Sequence, residues 1–149
     1  MKWKTAHCLA AISLLANVLL FLISTYSLRS VDLGFTNISD DCVRKLVLGS
    51  PRLEWIGIGY YSKVTARSLE HIAANLPLLE GIDLCVWSSS SCAKDWTSTY
   101  SIGRDQLLKL PRLRHVTLSP RQTALRRFIE SRRPDVKIRN PSHWGYVFP

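Results

Sequence analysis

The sequence predicts an α/β chain: a short solenoid of about four strand–helix repeats, with a parallel sheet on its concave face, behind an N-terminal hydrophobic helix. Three observations predict it. The pattern Leu-x-x-apolar-x-apolar occurs four times, each copy is followed by apolar residues at helical spacing, and a charge-free apolar run precedes them all.

The first element is that run. Lys2 and Lys4 lead into Cys8–Ser24, seventeen residues without a charge. As a helix rising about 1.5 Å per residue it is roughly 25 Å long, near the lower limit for crossing a hydrocarbon core. A basic start and an apolar middle also describe a secretory signal peptide, with Thr25 and Ser27 as small residues near a cleavage site that is not Ala-x-Ala. Residues 1–27 are therefore expected to be a membrane-targeting segment. The first reading is a retained single-pass anchor with the N-terminus cytoplasmic and the repeats outside, as the positive-inside bias of Lys2 and Lys4 requires. A secreted chain after cleavage is the alternative, and a buried core helix the third. Asn17 counts against the anchor, since an unpaired amide in hydrocarbon is unfavourable.

The repeats are expected over 28–140. Their strand-like starts are Leu28-Arg-Ser-Val-Asp-Leu33, Leu53-Glu-Trp-Ile-Gly-Ile58, Leu79-Glu-Gly-Ile-Asp-Leu84 and Leu113-Arg-His-Val-Thr-Leu118, separated by 25, 26 and 34 residues. Helical periods follow: Ile38, Val43, Leu46 and Val47; Val64, Leu69, Ile72, Ala73 and Leu76; Leu107, Leu108 and Leu110; Leu125, Phe128 and Ile129. Spacings of three and four place each set on one helix face. Pro51, Pro77, Pro111 and Pro134 close these stretches, because proline has no donor to continue a helix.

Two stretches carry a resemblance: Val31-Asp-Leu-Gly-Phe-Thr-Asn-Ile-Ser-Asp-Asp-Cys-Val43 and Val64-Thr-Ala-Arg-Ser-Leu-Glu-His-Ile-Ala-Ala-Asn-Leu-Pro-Leu-Leu-Glu80. They resemble the cysteine-containing class of leucine-rich repeats, familiar from F-box adaptors and also found in small exported bacterial proteins. The resemblance covers about Leu28 to Asn140 and implies a curved solenoid. Cys42 stands where the class usually has Gly, Ser50 where it often has Cys, and Ala66 where it has Asp. No F-box precedes the repeats, so the resemblance does not extend to a ubiquitin-ligase role.

The long third interval comes from an insertion, Val86–Tyr100, between strand and helix of the third repeat. Insertions in such arrays form loops on one face, and Trp87, Trp96 and Tyr100 are residue types that anchor interfaces; the alternative is a lid folded on the repeat core. Residues 141–149 are expected as an aromatic cap on the last repeat or as a free tail. Cys85 and Cys92 bracket the start of the insertion and are a candidate disulfide in an oxidising compartment, with two thiols as the alternative.

Function is constrained mainly by exclusion. The chain shows no Gly-x-Ser-x-Gly elbow, phosphate-binding glycine loop, His-Glu-x-x-His helix or Cys/His ligand spacing, so no enzyme, metal or cofactor is expected. The expected function is a protein-interaction module. Its concave rows are Ser30, Trp55, Gly81, His115 and Asp32, Gly57, Asp83, Thr117, and its partner is a protein or peptide. Charge supplies the alternative: Arg104 to Arg139 holds eleven Lys/Arg against three acids, whereas Leu28 to Gly103 holds seven against eight. Arg126, Arg127, Arg132 and Arg133 could bind acidic polymers or anionic membrane surfaces. Export argues against nucleic acid.

Overall fold

The computed structural model describes residues 5–7, 28–34, 36, 38–59, 64–85 and 103–141. Within them an α/β architecture repeats. Five three-residue strands, β2 (Ser30–Asp32), β3 (Trp55–Gly57), β4 (Gly81–Asp83), β5 (His115–Thr117) and β6 (Lys137–Arg139), pair in parallel and in chain order. β1 (Thr5–His7) extends the sheet in parallel on the β2 edge. Between the strands lie α1 (Asp40–Gly49), α2 (Ala66–Asn75), a 3-10 helix (Arg104–Lys109) and α3 (Thr123–Arg132). This arrangement is compatible with a solenoid.

Parallel strands need crossovers, and the four crossovers from β2 to β6 return through the same turn. Pro51, Pro77, Pro111 and Pro134 each occupy the second position of a β-turn. The amides of Leu53, Leu79, Leu113 and Val136 donate to the carbonyls of Ser50, Leu76, Leu110 and Arg133 at 3.0–3.4 Å. Proline's fixed φ suits that position, and its missing donor is of no consequence there. The chain then enters the sheet the same way each time. Arg29 O accepts from Glu54 N and Trp55 N, Glu54 O from Glu80 N and Gly81 N, and Glu80 O from Arg114 N and His115 N.

The core follows from strand alternation. Val31, Ile56, Ile82 and Val116 point inward from the strand centres, stacked in register, with Leu28, Leu53, Leu79 and Leu113 before them and Leu33, Ile58, Leu84 and Leu118 after; all are buried. Helix residues Val43, Leu46, Val47, Leu69, Ile72, Leu125 and Ile129 close the other side. The third helical stretch, Arg104–Lys109, is six residues of 3-10 geometry rather than an α-helix.

A carboxylate joins two crossovers. Asp40, at the start of α1, accepts from Thr65 N (2.7 Å), Ser68 Oγ (2.6 Å) and Thr65 Oγ1 (2.6 Å), so it closes the N-terminus of α2. Burial pushes this carboxyl up, but the hydrogen bonds from Ser68 and Thr65 outweigh it and hold its pKa below the ordinary 3.8. The next unit has Ala66 instead, and Gly103 packs against it: a Cβ on Gly103 would lie 3.0 Å from Ala66 Cβ and 3.1 Å from its Cα.

Among the described residues no helix is long and apolar enough to cross a membrane. The run Cys8–Ser24 lies outside the described residues, as do the insertion residues Trp87, Cys92, Trp96 and Tyr100 and the tail 142–149.

Candidate functional site

The register brings together the eight residues expected on one face. Ser30, Trp55, Gly81 and His115 form one row across β2–β5, which Lys137 continues; Asp32, Gly57, Asp83 and Thr117 form the second, which Arg139 continues. Both rows flank the buried strand centres and so share the sheet face opposite the aliphatic core.

Trp55 shapes this face. A Cβ on Gly81 would lie 2.5 Å from Trp55 Cδ1, and one on Gly57 would lie 2.7 Å from Trp55 Cη2. The indole therefore lies flat across the two glycines, on its own strand and the next, and any side chain at either position would displace it. Trp55 itself is half-buried. Sequence reasoning placed the two glycines among the expected ligand-binding rows and not as the bed for Trp55; the alternation of the largest side chain with none, in register, was the available signal.

Two carboxylates stand in register with Gly57, one on each neighbouring strand. Asp32 Oδ1 lies 2.6 Å from where a Gly57 Cβ would stand and accepts from Gly34 N at 2.8 Å. Asp83 Oδ1 accepts from Cys85 N at 2.8 Å. These i to i+2 bonds end their strands in the same way. Asp83 is only 4% exposed. Desolvation pushes its carboxyl up, the Cys85 amide opposes this, and the charge of Asp32 adds to the rise, to a pKa of about 7.

The other end of the face is basic. His115 is half-buried, whereas Lys137 and Arg139 are exposed. Desolvation, then Arg139 and Lys137, lower the His115 pKa, with Glu80 acting against them. Its Nδ1 is buried without a partner, as is Ser30 Oγ in the same row.

Cys85 is buried at the end of the β4 segment, and its candidate partner Cys92 lies outside the described residues. Of the basic candidates, Arg127 and Arg132 are exposed on α3 and half-buried Arg126 donates to Asn140 Oδ1 at 2.8 Å. Arg133 turns inward: it donates to Leu110 O (3.1 Å) and Leu113 O (3.0 Å) and pairs with Asp135 at 2.8 Å. Its guanidinium holds the two last crossovers together. Among the described residues no three His, Cys, Asp or Glu side chains are grouped to hold a metal ion. No protein-family model matches the chain, and no curated protein matches it.

Proposed function

We propose that this chain is a binding module rather than a catalyst: a leucine-rich-repeat domain of the cysteine-containing class, exported behind its N-terminal segment, that meets a protein or peptide on the sheet face. The observation that carries the reading is the register itself, which sets Ser30, Trp55, Gly81 and His115 beside Asp32, Gly57, Asp83 and Thr117 on one surface away from the core. Short strands in chain order with polar and aromatic residues on one face offer side chains for recognition without disturbing the aliphatic stack behind them. The test is a pull-down from the exported fraction with the full chain, comparing His115→Ala/Thr117→Ala with Glu70→Ala on exposed α2. Loss in the double variant alone, at unchanged circular dichroism, is expected; equal capture by both overturns the reading.

We place the chain in the membrane through Cys8–Ser24, N-terminus cytoplasmic and repeats outside. A single crossing would separate Thr5–His7 from Ser30–Asp32, which the structure pairs, so anchoring requires β1 to leave the sheet. Sequencing the N-termini of membrane and soluble pools distinguishes the arrangements. An anchored chain starts at Met1, needs detergent and is digested by external protease. A soluble chain starting near Leu28 is a secreted module, and one starting at Met1 has kept β1 on the sheet.

Exposed Arg127 and Arg132 support a second reading, binding of acidic polymers or anionic membrane surfaces. Arg127→Gln/Arg132→Gln is then expected to remove heparin binding and its salt dependence, since screening shortens to about 8 Å near physiological ionic strength. An unchanged salt slope contradicts it.

A further inference from the structure

The β5–β6 end of the face gathers four hydrogen-bond donors. His115 and Thr117 stand two residues apart on β5, and the register sets Lys137 beside the first and Arg139 beside the second on β6. The four make a two-by-two array, about 4.8 Å across the strands and about 6.7 Å along them. Lys137 and Arg139 are exposed, His115 and Thr117 half-buried. Among the described residues none of these four side chains makes an ion pair or a hydrogen bond. Asp135, the acid nearest to them in sequence, is taken by Arg133. Desolvation, then the charges of Arg139 and Lys137, lower the His115 pKa; at the strand entries Glu80 opposes them and Arg114 adds to them. The His115 Nδ1 is buried without a partner, which leaves Nε2 to meet a ligand. Two cations thus face an imidazole at one corner of the sheet, and an anion placed among them relieves the repulsion.

Resting on the reading of this face as a binding surface, we propose that its partner is an acidic peptide segment, extended along β6, with Asp or Glu at alternate positions. Geometry sets the spacing. Alternate residues of an extended chain point to one side and repeat at about 6.7 Å, as Lys137 and Arg139 do. Each carboxylate brings one charge and two acceptor oxygens. One carboxylate meets Lys137 Nζ and His115 Nε2, and the other meets the Arg139 guanidinium and Thr117 Oγ1. Two negative charges and four oxygens then answer two cations and four donors. A peptide fits this array better than a lipid surface, because backbone geometry holds its two acids at the fixed interval that the strand imposes on the cations. A carboxylate beside His115 also offsets the effect of Lys137 and Arg139 on the imidazole, so binding favours its protonated form.

The experiment uses the full chain in detergent micelles and fluorescent synthetic peptides with two aspartates adjacent, at alternate positions or three apart, each also made with asparagines. The alternate-position peptide is expected to bind about tenfold tighter than its asparagine version, and more tightly than the other spacings. Lys137→Gln and Arg139→Gln, both at exposed positions, are each expected to cost most of that gain. Affinity is expected to rise several-fold from about pH 8 to about pH 6, and His115→Gln, which keeps a donor, to abolish the rise. Asp83 titrates in the same range and is untouched by that substitution, so a rise that survives it overturns the role of His115. Inorganic phosphate at matched ionic strength is expected not to displace the peptide; displacement at equal concentration overturns the two-carboxylate array. Peptides bound no better with aspartate than with asparagine, while the pull-down is still lost in His115→Ala/Thr117→Ala, overturn this inference and leave the binding face intact. A pull-down and peptide binding that are both indifferent to every substitution on the face overturn both.

Discussion

At the residue scale, Asp83 makes the clearest statement about stability. Its folded pKa of about 7 stands above the ordinary 3.8, so the folded state holds its proton more tightly than the unfolded chain does. The corresponding stability is complete below pH 3.8 and is lost as pH rises to about 7. Asp83→Asn keeps the acceptor for Cys85 N and removes the charge. It is expected to stabilise the fold at pH 8 by a few kcal/mol, at about 1.4 kcal/mol per pKa unit and read as a higher melting temperature, and to change little at pH 4. Thermal melts at both pH values check this, and a variant less stable at pH 8 would contradict the burial account. Ser50 is the second such position, a buried hydroxyl with no partner among the described residues. Ser50→Cys is expected to stabilise the fold by about 1 kcal/mol, measured by urea denaturation, because a thiol loses less on burial.

At the element scale, the crossovers depend on one another through Asp40 and Arg133. Asp40→Ala removes three hydrogen bonds to the start of α2 and is expected to destabilise by roughly 1–2 kcal/mol, as for loss of a helix cap. Amide exchange should quicken at Arg67 and Ser68 before it does in β3. The sequence made β2 to β5 and the three α-helices legible, because alternation and spacings of three or four mark which side is buried. It placed the third helical stretch at Leu107, Leu108 and Leu110 but not its type, which is 3-10 over Arg104–Lys109. Arg133 was grouped with the surface arginines, since composition cannot distinguish a guanidinium turned toward Leu110 O and Leu113 O from one in water.

At the scale of the whole molecule, the two rows were legible because a repeat fixes register: once Leu28, Leu53, Leu79 and Leu113 are aligned, Asp32, Gly57, Asp83 and Thr117 must neighbour one another. What the alignment could not show was the third dimension of the face, that Trp55 lies down on two glycines and that Asp32 leans over one of them. β1 was also missed. Thr5 precedes Ser30 by the same 25 residues that separate Ser30 from Trp55, a signal hidden because the apolar run between them also satisfies a membrane segment.

Contact on the sheet face is the central claim, and site-specific photocrosslinking in the full chain tests it most directly. A photoreactive amino acid placed at Thr117, on the face, is compared with one at Glu70, exposed on α2. After irradiation of cells that express the full chain, a discrete higher-mass adduct is expected from Thr117, lost when Trp55→Phe is combined with it, and absent from Glu70. An adduct from Glu70 with none from Thr117 would place the binding surface on the helices and contradict the account.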